Sequence, residues 1–211
     1  MNNIIIRRTA ISDIPYLYEI CLITGDAGKD ATALFNDPYV LGQYFSAPYA
    51  VYPDGICFVP EYECRPQGYI VAVPDTDKYN QWLEEVWLPP LRKRYPKPAP
   101  QEIIRSENEG QMLSIFHNHH YPRTSAPPHW LKDYPAHLHI NLLPPFQGKG
   151  LGKGLVNNLM EELIRLGIPG VHLGVNAKNT GAIEFYKKTG FSVLNEEAYG
   201  FTMGKRSDSQ S

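Results

Sequence analysis

Between residues 136 and 163 the spacing of apolar positions changes from two to four. Leu138, Ile140 and Leu142 alternate with His137, His139 and Asn141, the pattern of a half-buried strand. Pro144 and Pro145 end it, because neither has an N–H for a ladder. Leu151, Leu155, Leu159 and Leu163 then recur every four residues, the stripe of an amphipathic helix. Between strand and helix lies Gln147-Gly-Lys-Gly-Leu-Gly152, with three glycines at alternate positions.

The same reading extends over the chain. Ile4–Arg7 predicts a first strand. Asp13–Thr24 predicts a helix capped by Ser12, with Pro15 in its first turn and Ile14, Leu17, Tyr18 and Cys21 inward. Pro38–Tyr44 predicts a second, short helix. Ile56–Tyr62 and Gly68–Val73 predict a hairpin around a turn at Glu63–Gln67. Tyr79–Leu88 predicts an amphipathic helix with Trp82, Val86 and Trp87 on one side, followed by a proline-rich connector over Pro89–Pro100. Glu102–Ser114 predicts a further helix. Val171–Val175 predicts a buried strand, Asn179 caps a helix ending at Gly190, and Phe191–Asn195 and Phe201–Lys205 predict closing strands. Residues 75–135 thus form a long insertion before the central strand, a length that goes with function or with covering a site. The expected class is α/β (α+β): one domain over 1–206 built on a mixed sheet of six or seven strands flanked by helices, with a parallel pair at 136–142 and 171–175 and a loose tail at 207–211.

Composition narrows the function classes. With 211 residues, 43% hydrophobic and 20% charged, the chain reads as an ordinary globular domain. A net charge of −2 gives no electrostatic case for nucleic acid. No run approaches the ~18 apolar residues of a membrane span, and the N-terminal apolar run is too short for a signal peptide. Cys21, Cys57 and Cys64 are an odd number without metal spacing, which fits reduced packing thiols in the cytoplasm. His117, His119, His120 and His129 cluster in the insertion but lack cysteines or a regular histidine frame, so no metal is expected.

A strand feeding a glycine-rich turn at a helix N-terminus suggests an anion site, since the first N–H groups of a helix lack partners and the helix dipole favours negative charge. The turn has neither the Walker spacing nor the Gly-x-Gly-x-x-Gly of dinucleotide folds; an ordinary glycine-rich loop is the remaining alternative. The pattern Gln147-x-x-Gly150-x-Gly152 after Leu142-x-Pro144 resembles the pyrophosphate-binding motif of the GNAT acetyltransferases. Asn176-x-x-Asn179-x-x-Ala182-x-x-Phe185-Tyr186-x-x-x-Gly190-Phe191 resembles the second motif of that family. A narrower likeness spans nearly the whole chain. Gly55-Ile-Cys-Phe-Val, Trp87-Leu-Pro-Pro-Leu…Tyr95-x-Lys-Pro98 and Met112-Leu-Ser-x-Phe-His117 are similar to the acetyltransferase-like domain of animal O-GlcNAcases and its stand-alone microbial relatives.

The resemblance implies a GNAT fold in which the parallel pair splays apart, acetyl-CoA as co-substrate, and a small-molecule or peptidyl amine as acceptor. It implies pantetheine contacts at Leu142, Leu143, Asn176 and Asn179, and a pyrophosphate held by Gln147, Gly148, Lys149, Gly150, Leu151, Gly152 and Lys153. It places the Tyr186 hydroxyl at the sulfur as proton donor, Leu142 N–H at the oxyanion, and the loop bearing Asp26 and Asp30 beside a cationic acceptor. Packing by Tyr186 and solvation of the two aspartates are the alternatives. His137 and His139 share a strand face with Asn141 and are base candidates, or structural histidines under the insertion. Arylalkylamine acetyltransferases have a similar His-Leu-His, one residue further from their glycine turn. Two readings follow: direct N-acetyl transfer in a ternary complex, or a catalytically silent acetyl-CoA-binding or interaction module. The chain is expected to be a monomer or homodimer, without nucleic-acid or membrane partners.

Overall fold

Strand alternation dominates the structure. A computed structural model describes residues 4–99, 101–119 and 126–207. Among them one eight-stranded mixed sheet is formed by β1 (Ile5–Arg8), β2 (Ile56–Tyr62), β3 (Arg65–Pro66), β4 (Gly68–Val73), β5 (Ala136–Leu142), β6 (Gly170–Asn176), β7 (Ser192–Glu197) and β8 (Gly200–Arg206). The spatial order is β1-β2-β4-β5-β6-β8-β7, with β3 attached to β2. The strand beyond the expected six or seven is the two-residue β3, which pairs back inside the β2–β4 connection.

Only β5 and β6 are parallel, and they pair only at Ala136–Val171 and His137–His172. β4 pairs β5 from Val73–His137 to Gly68–Leu142, and β8 pairs β6 along its whole length. The two central strands are therefore each held on their outer side and separate from each other beyond residue 137. This is the expected splay.

Two cores lie on the two faces. Tyr69, Val71 and Val73 of β4 pack with α1 (Ile14–Ile23), α2 (Gly42–Phe45), α3 (Ala47–Val51), α4 (Thr76–Trp82), α5 (Leu88–Arg94) and α6 (Glu107–Asn118). Ile70 and Ala72 point the other way, to α7 (Leu151–Arg165) and α8 (Thr180–Lys188). Leu155, Leu159 and Leu163 of α7 are wholly buried, as the four-residue spacing requires.

Several elements depart from the predicted boundaries for identifiable reasons. Pro89–Arg94 is helical, because α4 continues through a π-helical turn at Leu83–Trp87 and the prolines occupy the first turn of α5, where no N–H is needed. The extra residue in that turn shifts the helix phase. Tyr79, Leu83, Leu88 and Leu91 are buried, and Val86 faces solvent instead of joining the apolar side. The second helix, expected over Pro38–Tyr44, starts only at Gly42, a further helix follows it after Ser46, and the helix expected from Glu102 starts after Ser106, whose hydroxyl accepts the Glu109 N–H at 3.1 Å.

The first helix is not capped by Ser12. Asp13 takes that end: its carboxylate accepts both Arg7 Nη atoms, at 2.7 and 2.9 Å, and the Ala10 N–H at 2.7 Å, while 3% exposed. Arg7 holds its carboxyl below the usual range. The stabilisation is therefore intact above the unfolded pKa of ~3.9 and lost as pH falls through the lower folded value. Asp13→Ala is expected to lower stability by about 2 kcal/mol at neutral pH, read as a fall in the urea midpoint with unchanged slope. An unshifted midpoint would show that Arg7 is held by Glu61 alone.

Candidate functional site

The glycine turn is shaped by backbone geometry. Gly148 and Gly150 have φ of +71° and +82°, and a Cβ on either would meet no atom within 4 Å. Both open onto space and both need glycine's left-handed freedom. Gly152 is glycine for a different reason: a Cβ there would lie 2.9 Å from the Phe185 ring, so its absence lets α7 seat against α8. The first bond entering α7 runs from Gly154 N–H to Gly150 C=O. Among the described residues, no N–H from Gly148 to Lys153 has an acceptor. Gly148, Lys149, Gly150 and Lys153 are exposed, Leu151 is half-buried, and Lys149 lies 5.7 Å from the Phe146 ring centre. A run of free donors at the positive end of a fifteen-residue helix can bind a diphosphate.

The edge of β5 follows from pairing parity. Leu143 N–H donates to Gln67 C=O at 3.0 Å, in register with the β4 ladder. Hydrogen-bonded pairs alternate, so Asn141 and His139 also turn their main chains toward β4. Ile140 and Leu142 turn theirs toward the gap. Leu142 C=O accepts Gln147 Nε2 at 2.8 Å, which leaves the Leu142 N–H to the gap. Leu143 C=O accepts Phe146 N–H, so both its polar groups are occupied. Of the residues expected to pair with a strand-like ligand, Leu142 offers a free main-chain donor and Leu143 does not.

Asn179 caps α8, its Oδ1 accepting Ala182 N–H at 3.1 Å, which leaves the carboxamide NH2. Asn176 ends β6 and accepts Lys178 N–H at 2.9 Å. Tyr186, on α8, is 8% exposed between Phe185 and Phe191. Burial pushes its phenol up, and its hydroxyl makes no hydrogen bond to a described residue.

The two strand histidines, equivalent in sequence, differ in the fold. Thr76 Oγ1 donates to Pro135 C=O at 2.7 Å and so accepts from His137 Nδ1 at 2.9 Å. His137 Nε2 then accepts the Tyr49 hydroxyl at 2.8 Å. Both nitrogens of His137 are committed. His139 packs edge-on to Phe45 and Tyr49, with centroids 5.3 and 5.4 Å away, and makes no hydrogen bond to a described residue. Burial, then the nearby His172, pushes it down to about 4. It is thus neutral at pH 7 with a nitrogen lone pair available. An unfolded histidine titrates near ~6.5, so the unfolded chain takes up a proton first, and the fold loses stability as pH falls from about 6.5 toward 4. His139→Gln should flatten that part of a urea-midpoint profile between pH 4 and 7; an unchanged slope would assign it to other groups.

Asn141 donates to Thr24 Oγ1 at 2.5 Å, tying β5 to the end of α1. The loop with Asp26 and Asp30 leaves from that contact. Both aspartates are exposed. Asp26 closes a tight turn with Lys29, and Asp30 accepts the Thr32 N–H and hydroxyl, which hold its carboxyl below the usual range. His117 bonds Tyr95 C=O and His119 bonds Glu84, so these two serve packing; His120 lies outside the described residues. No group of three potential metal ligands occurs among the described residues. Nor does any described helix have the length and apolarity to cross a membrane. Tyr49, Phe45 and Thr76 were not singled out from sequence; nothing local marks them, as each acts through a partner distant in the chain.

Comparison with known proteins follows the same geometry. Residues 112–191 match the model of the acetyltransferase (GNAT) family. A ribosomal protein bS18-alanine N-acetyltransferase of Escherichia coli is 39% identical over 70 residues, 32% of this chain and 47% of that protein. An uncharacterized N-acetyltransferase of Methanocaldococcus jannaschii is 46% identical over 57 residues, 26% of this chain and 25% of its own. The chain thus spans less than half the length of these curated relatives. The crystal structure of SsHAT superposes over 98% of this chain and 100% of its own, with TM-score 0.86 and 29% identity. A PaiA N-acetyltransferase of Thermoplasma acidophilum, solved with coenzyme A, covers 97% and 99% with TM-score 0.56 and 17% identity, a likeness of fold.

Proposed function

We propose that this chain is an acetyltransferase of the GNAT type that moves an acetyl group from acetyl-CoA directly to a primary amine within a ternary complex. The observation that carries the reading is the run of unpaired N–H groups from Gly148 to Lys153, set where β5 and β6 part. The finer likeness, to the O-GlcNAcase acetyltransferase-like domain and its microbial relatives, rests on the segments at 55–59, 87–98 and 112–117.

In this reading the turn from Gln147 to Lys153 holds the pyrophosphate, and Asn176 and Asn179 line the pantetheine arm. Leu142 N–H donates to the thioester oxygen as it becomes an oxyanion. His139, directly or through a water, takes the proton that the amine loses on attack; His137 holds Tyr49 against it. The new C–N bond forms as the tetrahedral intermediate is made, and the C–S bond breaks as it collapses. Tyr186 gives its proton to the departing thiolate and is restored from solvent. No acyl-cysteine is needed: Cys21 and Cys57 are buried thiols pushed up to about 11 and 12, and so are not nucleophiles at neutral pH. Free thiols at all three cysteines fit a reducing, cytoplasmic location.

The alternative, a silent acetyl-CoA-binding or interaction module, keeps the turn but not turnover. Thiol release from acetyl-CoA, followed across simple amines, amino sugars, polyamines and lysine peptides, separates the two. Amine-dependent release supports transfer. Binding of coenzyme A with no release for any acceptor supports the silent module, and no binding at all removes both.

A further inference from the structure

Gly174 sits in the middle of β6, an interior strand of the sheet, yet it is exposed. Glycine weakens a strand and often marks a close approach by a ligand. A Cβ built on it would meet nothing within 4 Å, and its φ is not in the left-handed region, so neither packing nor backbone strain calls for glycine here. The last pair joining β5 and β6 is His137–His172. Two residues further along each strand, on the same face by alternation, are His139 and Gly174, separated where the strands diverge.

The surroundings give this bare position walls. His139 lies on one side, edge-on to Phe45 and Tyr49. On the other side Thr202, directly opposite Gly174 on β8, donates its hydroxyl to Glu197 at 2.6 Å. One step back along β6, His172 donates to Tyr134 C=O at 2.7 Å and packs against Trp130 at 4.8 Å, closing that end. The cleft over Gly174 is therefore bounded on three sides and open toward the end of β6.

We propose that Gly174 is a positioning residue that keeps open the lane by which the acceptor amine reaches His139, and that the missing side chain sets the bulk tolerated there. This deepens the transfer reading above and rests on it. The N–H run at 148–153 follows the C-terminal end of β5, past Leu142, whereas Gly174 lies only two residues beyond the His137–His172 pair, so filling the lane should leave the diphosphate contacts, and with them coenzyme A affinity, intact.

The test compares Gly174→Ala and Gly174→Val with wild type by coenzyme A calorimetry, by hydrolysis of acetyl-CoA without amine, and by thiol release with methylamine, ethylamine and benzylamine. The expected result is unchanged coenzyme A affinity and hydrolysis, with amine transfer falling a few-fold for alanine and on the order of 100-fold for valine, most for benzylamine. Alanine keeps the test valid if valine impairs folding. Variants that transfer at the wild-type rate overturn the inference and leave the transfer reading standing. Transfer and coenzyme A affinity falling together would put Gly174 in the cofactor channel, which also overturns it. A wild-type protein that releases no thiol with these amines or with the amino sugars, polyamines and lysine peptides of the wider panel sinks the transfer reading and this inference with it.

Discussion

Gly150→Glu is expected to lower coenzyme A affinity by at least ~100-fold, about 2.8 kcal/mol. Gly150 is the first residue flanking α7, with φ +82° and open space where a side chain would go. Glutamate would put a carboxylate among donors that otherwise meet a diphosphate, at the end of the helix dipole where both anions compete. A companion series separates charge from strain. Gly150→Asn tolerates the left-handed backbone and should retain most of the affinity, and Gly150→Ala should lie between. Calorimetry with coenzyme A is the measurement. Full affinity in the glutamate variant would remove residues 147–153 from the diphosphate site and with them the functional reading.

Tyr186→Phe should lower kcat by roughly 100-fold or more at pH 7 while leaving coenzyme A affinity unchanged. The ring is packed between Phe185 and Phe191, which phenylalanine preserves, and the hydroxyl is not tied to another described residue, so its loss costs the fold little. Burial raises the phenol, so it holds its proton across the neutral range and is available as a donor to a leaving thiolate. A loss of transfer that tracks a loss of coenzyme A binding would mean that the hydroxyl orients the ligand instead. A variant at full rate would take Tyr186 out of the mechanism.

The parts of the fold built on local periodicity are legible in the chain. The leucines of α7, the alternation in β5 and the glycine turn are each written within about twenty residues, where spacing alone sets which side is buried. The helical path through Pro89 is not, because a π turn five residues long absorbs the mismatch and reverses the expectation from two prolines. The division of labour between His137 and His139 is likewise hidden. It is made by Thr76 and Tyr49, contributed by other elements, and strand alternation can only say that the two histidines share a face. Leu143 shows a similar limit: adjacency to Leu142 suggests a common role, but pairing parity turns its N–H back to Gln67. Gly174 carries a local signal, a glycine inside a Val-His-Leu-Gly-Val strand, whose meaning appears only once the neighbouring strand is seen to leave.

The carboxamide of Gln147 on the Leu142 carbonyl bears on where affinity is generated. A pantetheine amide that docks on that carbonyl finds one lone pair already engaged and either shares the oxygen or replaces the Gln147 amide by another of the same kind, with little net gain. In the proposed transfer reading, the terminal stretch of the central strand then serves as a guide rail for register, and the grip on the ligand is expected at its charged end, several residues away.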